Sequence, residues 1–322
     1  MQDQTHPRID SATAAAPHVA ILMGVLNGAT NLDEQLQSFA RQDHANWSLL
    51  ASDDGSTDAS RQIVERFAAD HPEHRIDLRD GPKAGFAMNY LTMIATLGEE
   101  VDAAALSDQD DVWLPQRLSR GLAKLSSVPP GTPALYLGRT MICDAKLKPI
   151  RPSPQFTRRP DFGNALVQCI GGGNTMLLNR EAIALVAGLA PRLKTLFAHD
   201  WWLYQLITSV GGQVVYDSQP MVLYRQHPAN QIGRNDTTRA AASRLARLLN
   251  GDFRGAMDAN LGALDAVSDR MTPEARAQLR AFTASRKGSL LQRLSGVQRA
   301  GLHRQRPYET LALYVSALLR KL

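Results

Sequence analysis

The first third of the chain alternates between apolar, β-rich runs and helical patterns, and this alternation restricts the fold more than any other feature. The apolar runs lie at residues 19–26, 47–51, 75–78 and 101–106, and helical periodicity fills the gaps between them. Strands and helices at this spacing predict a parallel sheet with helices on both faces. We therefore expect an α/β domain whose ligands bind beyond the carboxyl ends of the strands.

Polar side chains follow the first, second and fourth predicted strands at the point where each ends. They are Asn27, the pair Asp53 and Asp54, and an acidic segment at 107–113. Because the carboxyl ends of parallel strands meet at one edge of a sheet, we expect these residues to lie together. A carboxylate there can accept a hydrogen bond from the imide N–H of uracil or thymine, or from a ribose hydroxyl. The pattern therefore predicts a ligand site at this edge.

The acidic segment, Ser-Asp-Gln-Asp-Asp-Val-Trp, contains the three carboxylates Asp108, Asp110 and Asp111. Carboxylates this close repel one another, and their hard oxygens favour Mg²⁺ or Mn²⁺, which usually share a substrate phosphate. Alternate residues of an extended segment point the same way, so Asp108 and Asp110 would face one ion or one ligand. The alternative for this segment alone is a solvated acidic turn before the next helix. Its position at a strand end favours the cation site.

Three other places carry candidate chemistry. The Gly-rich segment 81–89 precedes a helix, where backbone amides and Lys83 would meet pyrophosphate oxygens, unless it is a plain strand–turn–helix connection. Asp200 opens a predicted helix and is either a general base or an N-cap. Arg225 and His227 leave a strand end together, which suggests a phosphate contact and a metal ligand, although a lone histidine is more often structural.

Composition restricts the class of protein. With 322 residues, 44% of them hydrophobic, the chain has room for one large domain or a domain with an appendage. Two cysteines, Cys143 and Cys169, are too few for a disulfide scaffold and fit a reducing compartment. No apolar run approaches the roughly 20 residues that span a bilayer, and residues 1–17 do not have a signal-peptide pattern. We therefore predict a cytoplasmic protein with a disordered tail at 1–17.

The positive charge is concentrated at the C-terminus. Residues 285–322 hold eight Lys and Arg against Glu309 alone, a net charge of +7. Because the whole chain carries +5, the other 284 residues sum to −2. A basic helical segment of this kind either contacts an anionic membrane surface or forms a solvated helical face. Nucleic acid is disfavoured because no binding motif or interleaved aromatic residue accompanies the charge.

In their order along the chain, these motifs resemble family 2 glycosyltransferases with the GT-A fold, and among them the bacterial rhamnosyltransferase-type members. The resemblance covers residues 19–233, and these are the matching segments: Asn27-Gly28, Gln42 before Trp47, Asp53-Asp54-Gly55-Ser56-Thr57-Asp58, Gly85 with Asn89, the run from Ser107 to Pro115, Gly172-Gly173-Asn174-Thr175, His199-Asp200-Trp201-Trp202 and Tyr224-Arg225-Gln226-His227. The implied fold is α/β, a GT-A (Rossmann-like) mixed sheet flanked by helices over 18–233. A helical, basic C-terminal region would follow at 234–322.

The resemblance also implies an activity and residue roles. The implied reaction is a metal-dependent, inverting transfer of a sugar, L-rhamnose in the resembling group, from a dTDP- or UDP-linked donor. The acceptor would be a glycan or lipid-linked oligosaccharide of bacterial surface-polysaccharide synthesis. The basic C-terminal helices would bring the enzyme into peripheral contact with the inner membrane. Asp110 and His227 would hold Mg²⁺ or Mn²⁺, and Asp200 would be the catalytic base. The donor would contact the following residues: Leu26, Asn27, Asp53, Asp54, Lys83, Gly85, Asn89, Asp108 and Arg225.

Two other classes remain open from the residues alone. A sugar nucleotidyltransferase also combines carboxylates, a metal and an α/β sheet, but it typically has a Gly-rich loop with a cation directly after the first strand. Here that loop is Asn27-Gly28-Ala29-Thr30, which has no cation. A non-catalytic carbohydrate-binding protein would not need Asp200.

Overall fold

The computed structural model describes residues 15–226 and 254–321. Within them, nine strands belong to one sheet: β1 (Val19–Val25), β2 (Trp47–Asp53), β3 (Ile76–Asp80), β4 (Ala103–Ser107), β5 (Val112–Trp113), β6 (Ala134–Cys143), β7 (Pro149–Pro152), β8 (Leu177–Asn179) and β9 (Gln213–Arg225). The α-helices of the described residues are as follows: α1 (Leu32–Ala40), α2 (Ser60–Asp70), α3 (Phe86–Ala95), α4 (Arg117–Leu125), α5 (Phe162–Ala165), α6 (Arg180–Leu189), α7 (His199–Ser209), α8 (Arg254–Asp265), α9 (Pro273–Arg286), α10 (Leu290–Arg299) and α11 (Pro307–Leu318).

The sheet has a parallel half and a mixed half. Its strand order is β3-β2-β1-β4-β8-β6-β9-β5, with β7 paired to β6 outside this path. Strands β1 to β4 run parallel to one another, as the alternation predicts. Strand β8 runs antiparallel to both β4 and β6, and β9 is parallel to β6. The predicted mixed sheet flanked by helices is therefore confirmed.

Both faces of the sheet are covered, which explains why the central strands are apolar throughout rather than alternating. On one face, Leu22 and Leu106 belong to the same core as residues of α3, α6 and α7. On the other face, Ile21 and Met23 pack in a second core with residues of α1, α2 and α4. Full burial of one such side chain stabilises a fold by about 1.5–3 kcal/mol, so the two layers hold the parallel half rigidly.

The C-terminal region is helical over its described part, and it shares the core of the α/β domain. Leu264, Phe282 and Leu313 of helices α8, α9 and α11 belong to the same buried cluster as Trp202 and Leu206 of α7. No helix among the described residues is long and apolar enough to span a membrane. The last helices are therefore packed onto the α/β domain.

The mixed half contains less regular elements. Strand β9 is continuous, because register shifts on β6 let the pairing continue past Gly138. Strand β8 follows a 3₁₀ turn at Gly173–Thr175. His227 and most of the predicted N-terminal tail lie outside the described residues.

Candidate active site

The strand ends meet as the sheet topology requires. Val25 at the end of β1 pairs with Asp53 of β2, and Met23 pairs with Ser107 at the end of β4. Because β8 is antiparallel to β4, the residues that precede β8 reach this edge rather than those that follow it. This explains why Asn174, 63 residues away from Asp111 in the chain, hydrogen-bonds to it.

The structure brings the three carboxylates of the acidic segment together. Ligand atoms of Asp108, Asp110 and Asp111 all lie within 4.8 Å of one another. Asp111 is fully buried and accepts hydrogen bonds from Asn174 Nδ2 at 2.5 Å and from the backbone N–H of Arg225 at 3.2 Å. These bonds assign Asp111 to holding the segment, while Asp108 and Asp110 are less buried.

Burial and neighbouring charges raise the pKa of two of these carboxyl groups. Burial, together with the charges of Asp110 and Asp200, raises the pKa of Asp108 to about 7. Burial, with the charges of Asp108 and Asp110, also raises the pKa of Asp111 well above its ordinary value. Full ionisation of such a cluster needs a counter-charge. A set of carboxylate oxygens fits a hard divalent cation such as Mg²⁺ or Mn²⁺.

Gln109 ties the acidic segment to the end of β1. Its Oε1 accepts from the Leu26 N–H and its Nε2 donates to the Leu26 carbonyl, both at 2.9 Å. Gly28 makes room for this side chain, because a Cβ at that position would lie 2.3 Å from Oε1. The sequence interpretation missed Gln109, although strand alternation places it on the face opposite Asp108 and Asp110.

The side chain of Arg225 contacts the backbone of the acidic segment. This corrects the expectation that Arg225 contacts phosphate. It is buried, and its Nε donates to the Asp110 carbonyl at 3.0 Å, while another guanidinium nitrogen donates to the Ala145 carbonyl at 2.8 Å. A third nitrogen pairs with Glu34. Because the guanidinium is engaged by these groups, we assign Arg225 to positioning the Asp110 loop rather than to binding phosphate.

At the end of β2, Asp53 shapes the turn. It is buried and accepts from the Ser56 N–H at 3.0 Å and from Arg61 at 2.9 Å. Burial raises its pKa, but the hydrogen bonds from Ser56 and Arg61 outweigh that effect and hold the pKa below its ordinary value. Helix α2 begins after Ala59 without a side-chain cap.

The neighbouring residues Asn27 and Asp54 also order their loops while remaining at the surface. Asn27 is exposed, has φ +50°, and its Oδ1 accepts from the Thr57 N–H at 2.8 Å. Asp54 is partly exposed, and its Oδ1 accepts from the Lys83 N–H at 2.7 Å. Leu26, the residue between β1 and Asn27, is 47% exposed. These three residues therefore border an accessible ledge beside the acidic cluster.

The Gly-rich segment leaves open space at the start of α3. Gly85 has φ +86°, and nothing lies within 4 Å of the position where its Cβ would be. Lys83 is exposed, with φ +55°. Open backbone amides at a helix N-terminus suit an anion. Asn89 does not share this space, because it is buried and its amide hydrogen-bonds to the Ser52 hydroxyl at 2.5 Å and carbonyl at 3.1 Å, so we assign it to supporting β2.

Asp200 lies in the first turn of α7, which begins at His199 after Ala198. Its Oδ1 accepts from the Trp201 N–H at 2.7 Å. Burial raises the pKa of Asp200 to about 6, even though hydrogen bonds from the backbone N–H groups of Trp201 and Gly173 lower it. A carboxyl group with that pKa is ionised at neutral pH and is more basic than an ordinary aspartate, as a general base requires.

His199 forms a neutral, buried surface beside Asp200. Its ring stacks on Tyr90 with centroids 4.1 Å apart, and the edge of Phe86 approaches it at 5.7 Å. Burial lowers its pKa to about 3, and neither ring nitrogen has a hydrogen-bond partner within the described part of the chain. The ring fits only because residue 173 is glycine, since a Cβ there would lie 2.3 Å from Nε2.

A mixed α/β sheet with carboxylates at adjacent strand ends is the arrangement expected of the GT-A fold. The family model described as Glycosyl transferase family 2 matches residues 20–183, about half of the chain. The chain belongs to this family. Membership makes it a glycosyltransferase and removes the nucleotidyltransferase and the non-catalytic alternatives.

Sequence relatives agree with this assignment. The chain is similar to the dTDP-rhamnosyl transferase RfbG of Shigella flexneri, with 28% identity over 244 residues, 72% of this chain and 81% of the relative. It is also similar to the putative glycosyltransferase EpsE of Bacillus subtilis, with 30% identity over 44% of this chain and 51% of that protein.

Solved structures share the fold. Residues 1–349 of Staphylococcus aureus TarS, solved in complex with UDP, superpose with a TM-score of 0.54 at 15% identity, covering 94% of this chain and 88% of that one. The mannosyltransferase PcManGT from Pyrobaculum calidifontis, solved with GDP-Man and Mn²⁺, gives 0.50 at 17% identity, covering 96% and 86%. At these identities the likeness establishes the GT-A fold alone.

Proposed function

We propose that the protein is a metal-dependent, inverting glycosyltransferase that moves L-rhamnose from a dTDP-linked donor to a hydroxyl group of a glycan. One observation carries this proposal: Asp200, in the first turn of α7, is close enough to the acidic cluster for its charge to raise the pKa of Asp108. A base near a carboxylate cluster matches a reaction in which a hydroxyl is deprotonated while a diphosphate departs.

The ledge of Leu26, Asn27 and Asp54 would bind the nucleoside. Leu26 offers an exposed apolar side chain, and Asp54 keeps a partly exposed carboxylate at the end of β2. The open backbone at Gly85, with the exposed Lys83 beside it, would receive the diphosphate. The donor preference for dTDP rests on the similarity to the Shigella enzyme, and UDP is the second candidate because the TarS complex holds it.

Asp110 and Asp108 would share the contacts to the cation and the donor. Within the described residues, the group that could hold a metal ion consists of three carboxylates, which suits Mg²⁺ or Mn²⁺, and PcManGT was solved with Mn²⁺. The cation, when bound, supplies positive charge against the leaving diphosphate. Asn174 and Arg225 contribute by holding Asp111 and the backbone of Asp110, so that the carboxylates keep their spacing. His227 as a further ligand stays a prediction.

Asp200 would take the proton from the acceptor hydroxyl. The resulting alkoxide-like oxygen attacks the anomeric carbon from the face opposite the diphosphate, the bond to the diphosphate oxygen breaks, and the configuration inverts. His199 would stay neutral at every working pH, since its pKa is about 3, and it therefore adds no competing positive charge beside the base. No covalent intermediate with the enzyme is required.

We also propose a cellular context for the reaction. The acceptor would be a glycan or lipid-linked oligosaccharide of surface-polysaccharide synthesis, and the enzyme would act in the cytoplasm at the inner face of the membrane. The support is the similarity to a dTDP-rhamnosyl transferase and the basic C-terminal helices. Nucleic acid is not an expected partner.

The test measures donor binding and donor turnover separately. Calorimetric titration with dTDP-rhamnose and UDP-sugars, each with Mn²⁺ or with EDTA, identifies the donor, and chromatography of released nucleotide reports hydrolysis or transfer. Asp200→Asn should lower turnover by about 10²–10⁴-fold while it leaves Mn²⁺-dependent binding intact. Asp110→Asn should abolish the Mn²⁺ dependence of binding.

Asp70→Asn is the matched control, because Asp70 is exposed at the end of α2 and should leave both measurements unchanged. Equal loss of donor binding in the Asp200 and Asp110 variants would contradict the division of roles. Binding that is indifferent to Mn²⁺ in the unaltered protein would remove the cation from the proposal.

A further inference from the structure

The outer face of the last helix is apolar, although it is exposed. Helix α11 already buries one face, with Ala312, Leu313 and Ala317 in the core. Surface helices normally carry polar residues opposite the buried stripe. The opposite face of this helix and its C-terminal turn instead carries five exposed apolar side chains: Tyr308 (48%), Leu311 (65%), Val315 (37%), Leu318 (48%) and Leu319 (51%).

These five residues form a continuous stripe. At about 100° of rotation per residue, they fall within an arc of roughly 100°. The start of α10 extends the stripe, because Arg293 of α10 donates to the Ala317 carbonyl at 2.7 Å and so holds the first turn of α10 against the end of α11. Leu290 and Leu291 in that turn are 42% and 79% exposed. We call these seven residues the C-terminal ridge.

Exposed cations flank the ridge helices in the chain. Five basic side chains, one on α10 and four in the segments next to α10 and α11, are exposed: Lys287, Arg299, Arg306, Arg320 and Lys321. The one carboxylate in residues 285–321 is Glu309, which lies within 3.2 Å of Arg304. The ridge is therefore an apolar surface with a positive rim and no exposed negative charge of its own.

This combination identifies the partner. A second copy of the chain, paired about a two-fold axis through the ridge, would bring the same cations against one another without carboxylates to offset them. An anionic lipid surface complements both features, because acyl chains accept the leucines and headgroups attract the cations. The cavity between α9, α10 and α11 is only about 10 Å³, which is too small for a headgroup, so the contact is with a surface rather than with one bound lipid.

We propose that the C-terminal ridge inserts into the interface of an anionic bilayer and holds the enzyme on its surface. The proposal deepens the proposed function, since it fits a lipid-linked acceptor, but binding to vesicles does not require any transferase activity. Charge alone would give weak attachment that salt abolishes. The ridge predicts attachment with an apolar component that persists in salt.

The experiment is flotation of the full-length protein with vesicles of 30% phosphatidylglycerol and 70% phosphatidylcholine, compared with phosphatidylcholine alone. The unaltered protein should float with the anionic vesicles. The double variant Leu291→Ser with Leu311→Ser should weaken binding by about tenfold or more, because each leucine loses several buried carbon atoms. Arg306→Gln should weaken it about fivefold, and 0.5 M NaCl should reduce it without abolishing it.

Two matched controls separate the ridge from the general surface. Ile150→Ser alters an apolar side chain of similar exposure (49%) on β7, and Lys124→Gln removes an exposed cation from α4; neither should change flotation. Donor hydrolysis, measured in parallel without vesicles, should be the same in every variant. If neither the unaltered protein nor any variant hydrolysed the donor, that result would count against the proposed function. The flotation result could still be interpreted, because it does not depend on activity.

Three outcomes would overturn the proposal. The first is no flotation with anionic vesicles. The second is flotation that the double leucine variant does not reduce, which would leave only charge. The third is a dimer of the unaltered protein in light scattering that Leu311→Ser converts to a monomer, because a second copy would then cover the ridge.

Discussion

The substitution Asp200→Asn should make the metal-free protein more stable at alkaline pH and should also remove catalysis. Burial holds the pKa of Asp200 at about 6, compared with 3.8 for an ordinary aspartate. The folded state therefore binds this proton more tightly than the unfolded state, and stability is lost as pH rises from about 4 to above 6. At about 1.4 kcal/mol per pH unit between the two values, the ionised side chain costs up to about 3 kcal/mol at pH 8.

Asn keeps the side-chain oxygen that accepts from the Trp201 N–H and carries no charge, so Asp200→Asn should recover most of that energy. Urea unfolding in EDTA measures this energy. The free energy of unfolding of the variant should exceed that of the unaltered protein by up to about 3 kcal/mol at pH 8 and by about half as much at pH 5. Asp53→Asn is the opposite control, because its lowered pKa means that ionisation stabilises the fold, and this variant should be less stable at pH 8.

An Asp200 variant that is equally stable or less stable at pH 8 would refute the argument, since it would mean that the ionised carboxylate is not buried at a cost. The same pKa predicts the activity profile of the unaltered enzyme. Turnover should rise with pH to a plateau, with a midpoint near 6, as the base loses its proton.

Further predictions concern the surroundings of the site. Gly173→Ala should destabilise the protein by about 1–3 kcal/mol in urea unfolding, because the new Cβ would collide with His199, whereas Gly188→Ala in open space on α6 should stabilise it slightly. Mn²⁺ with dTDP at 100 times Kd should raise the stability by about 2.7 kcal/mol in a thermal scan, and Asp110→Asn should remove the increase. Gln109→Ala loses two hydrogen bonds to the end of β1 and should raise the donor KM more than it lowers kcat in initial-rate assays. An unchanged KM would show that the ledge does not depend on that amide.

The parallel half of the fold could be predicted because its signals are local. Strands β1, β2 and β4 are largely apolar runs, and polar residues lie at or just beyond the end of each. The convergence of Asp53, Asp54 and Asp108 on one edge then follows from the direction of the strands. The mixed half lacked such signals, since β8 has only three residues and α5 only four.

The roles of individual polar residues were the least predictable part of the site. Arg225 and Asn89 are polar residues near strand ends, as ligand contacts would be, yet the structure buries both against backbone carbonyls. Gln109 was overlooked beside its acidic neighbours, yet it connects two strand ends. Which polar group faces the ligand and which supports the loop depends on packing between distant segments, and single-sequence patterns carry little of that information.

The pairing of β4 with β8 has a consequence for protein engineering. Only three residue pairs, Ala103–Asn179, Ala104–Leu178 and Ala105–Leu177, join these two strands. Each half of the sheet is also built from one continuous part of the chain. All four parallel strands end by Ser107, and every other strand begins at Val112 or later. The stretch between them, residues 108–111, is the part of the acidic segment that carries the three carboxylates. A chimaera that joins the parallel half of one family member to the Asp200-bearing half of another should therefore cross over on one side of this segment, so that all three carboxylates come from one parent.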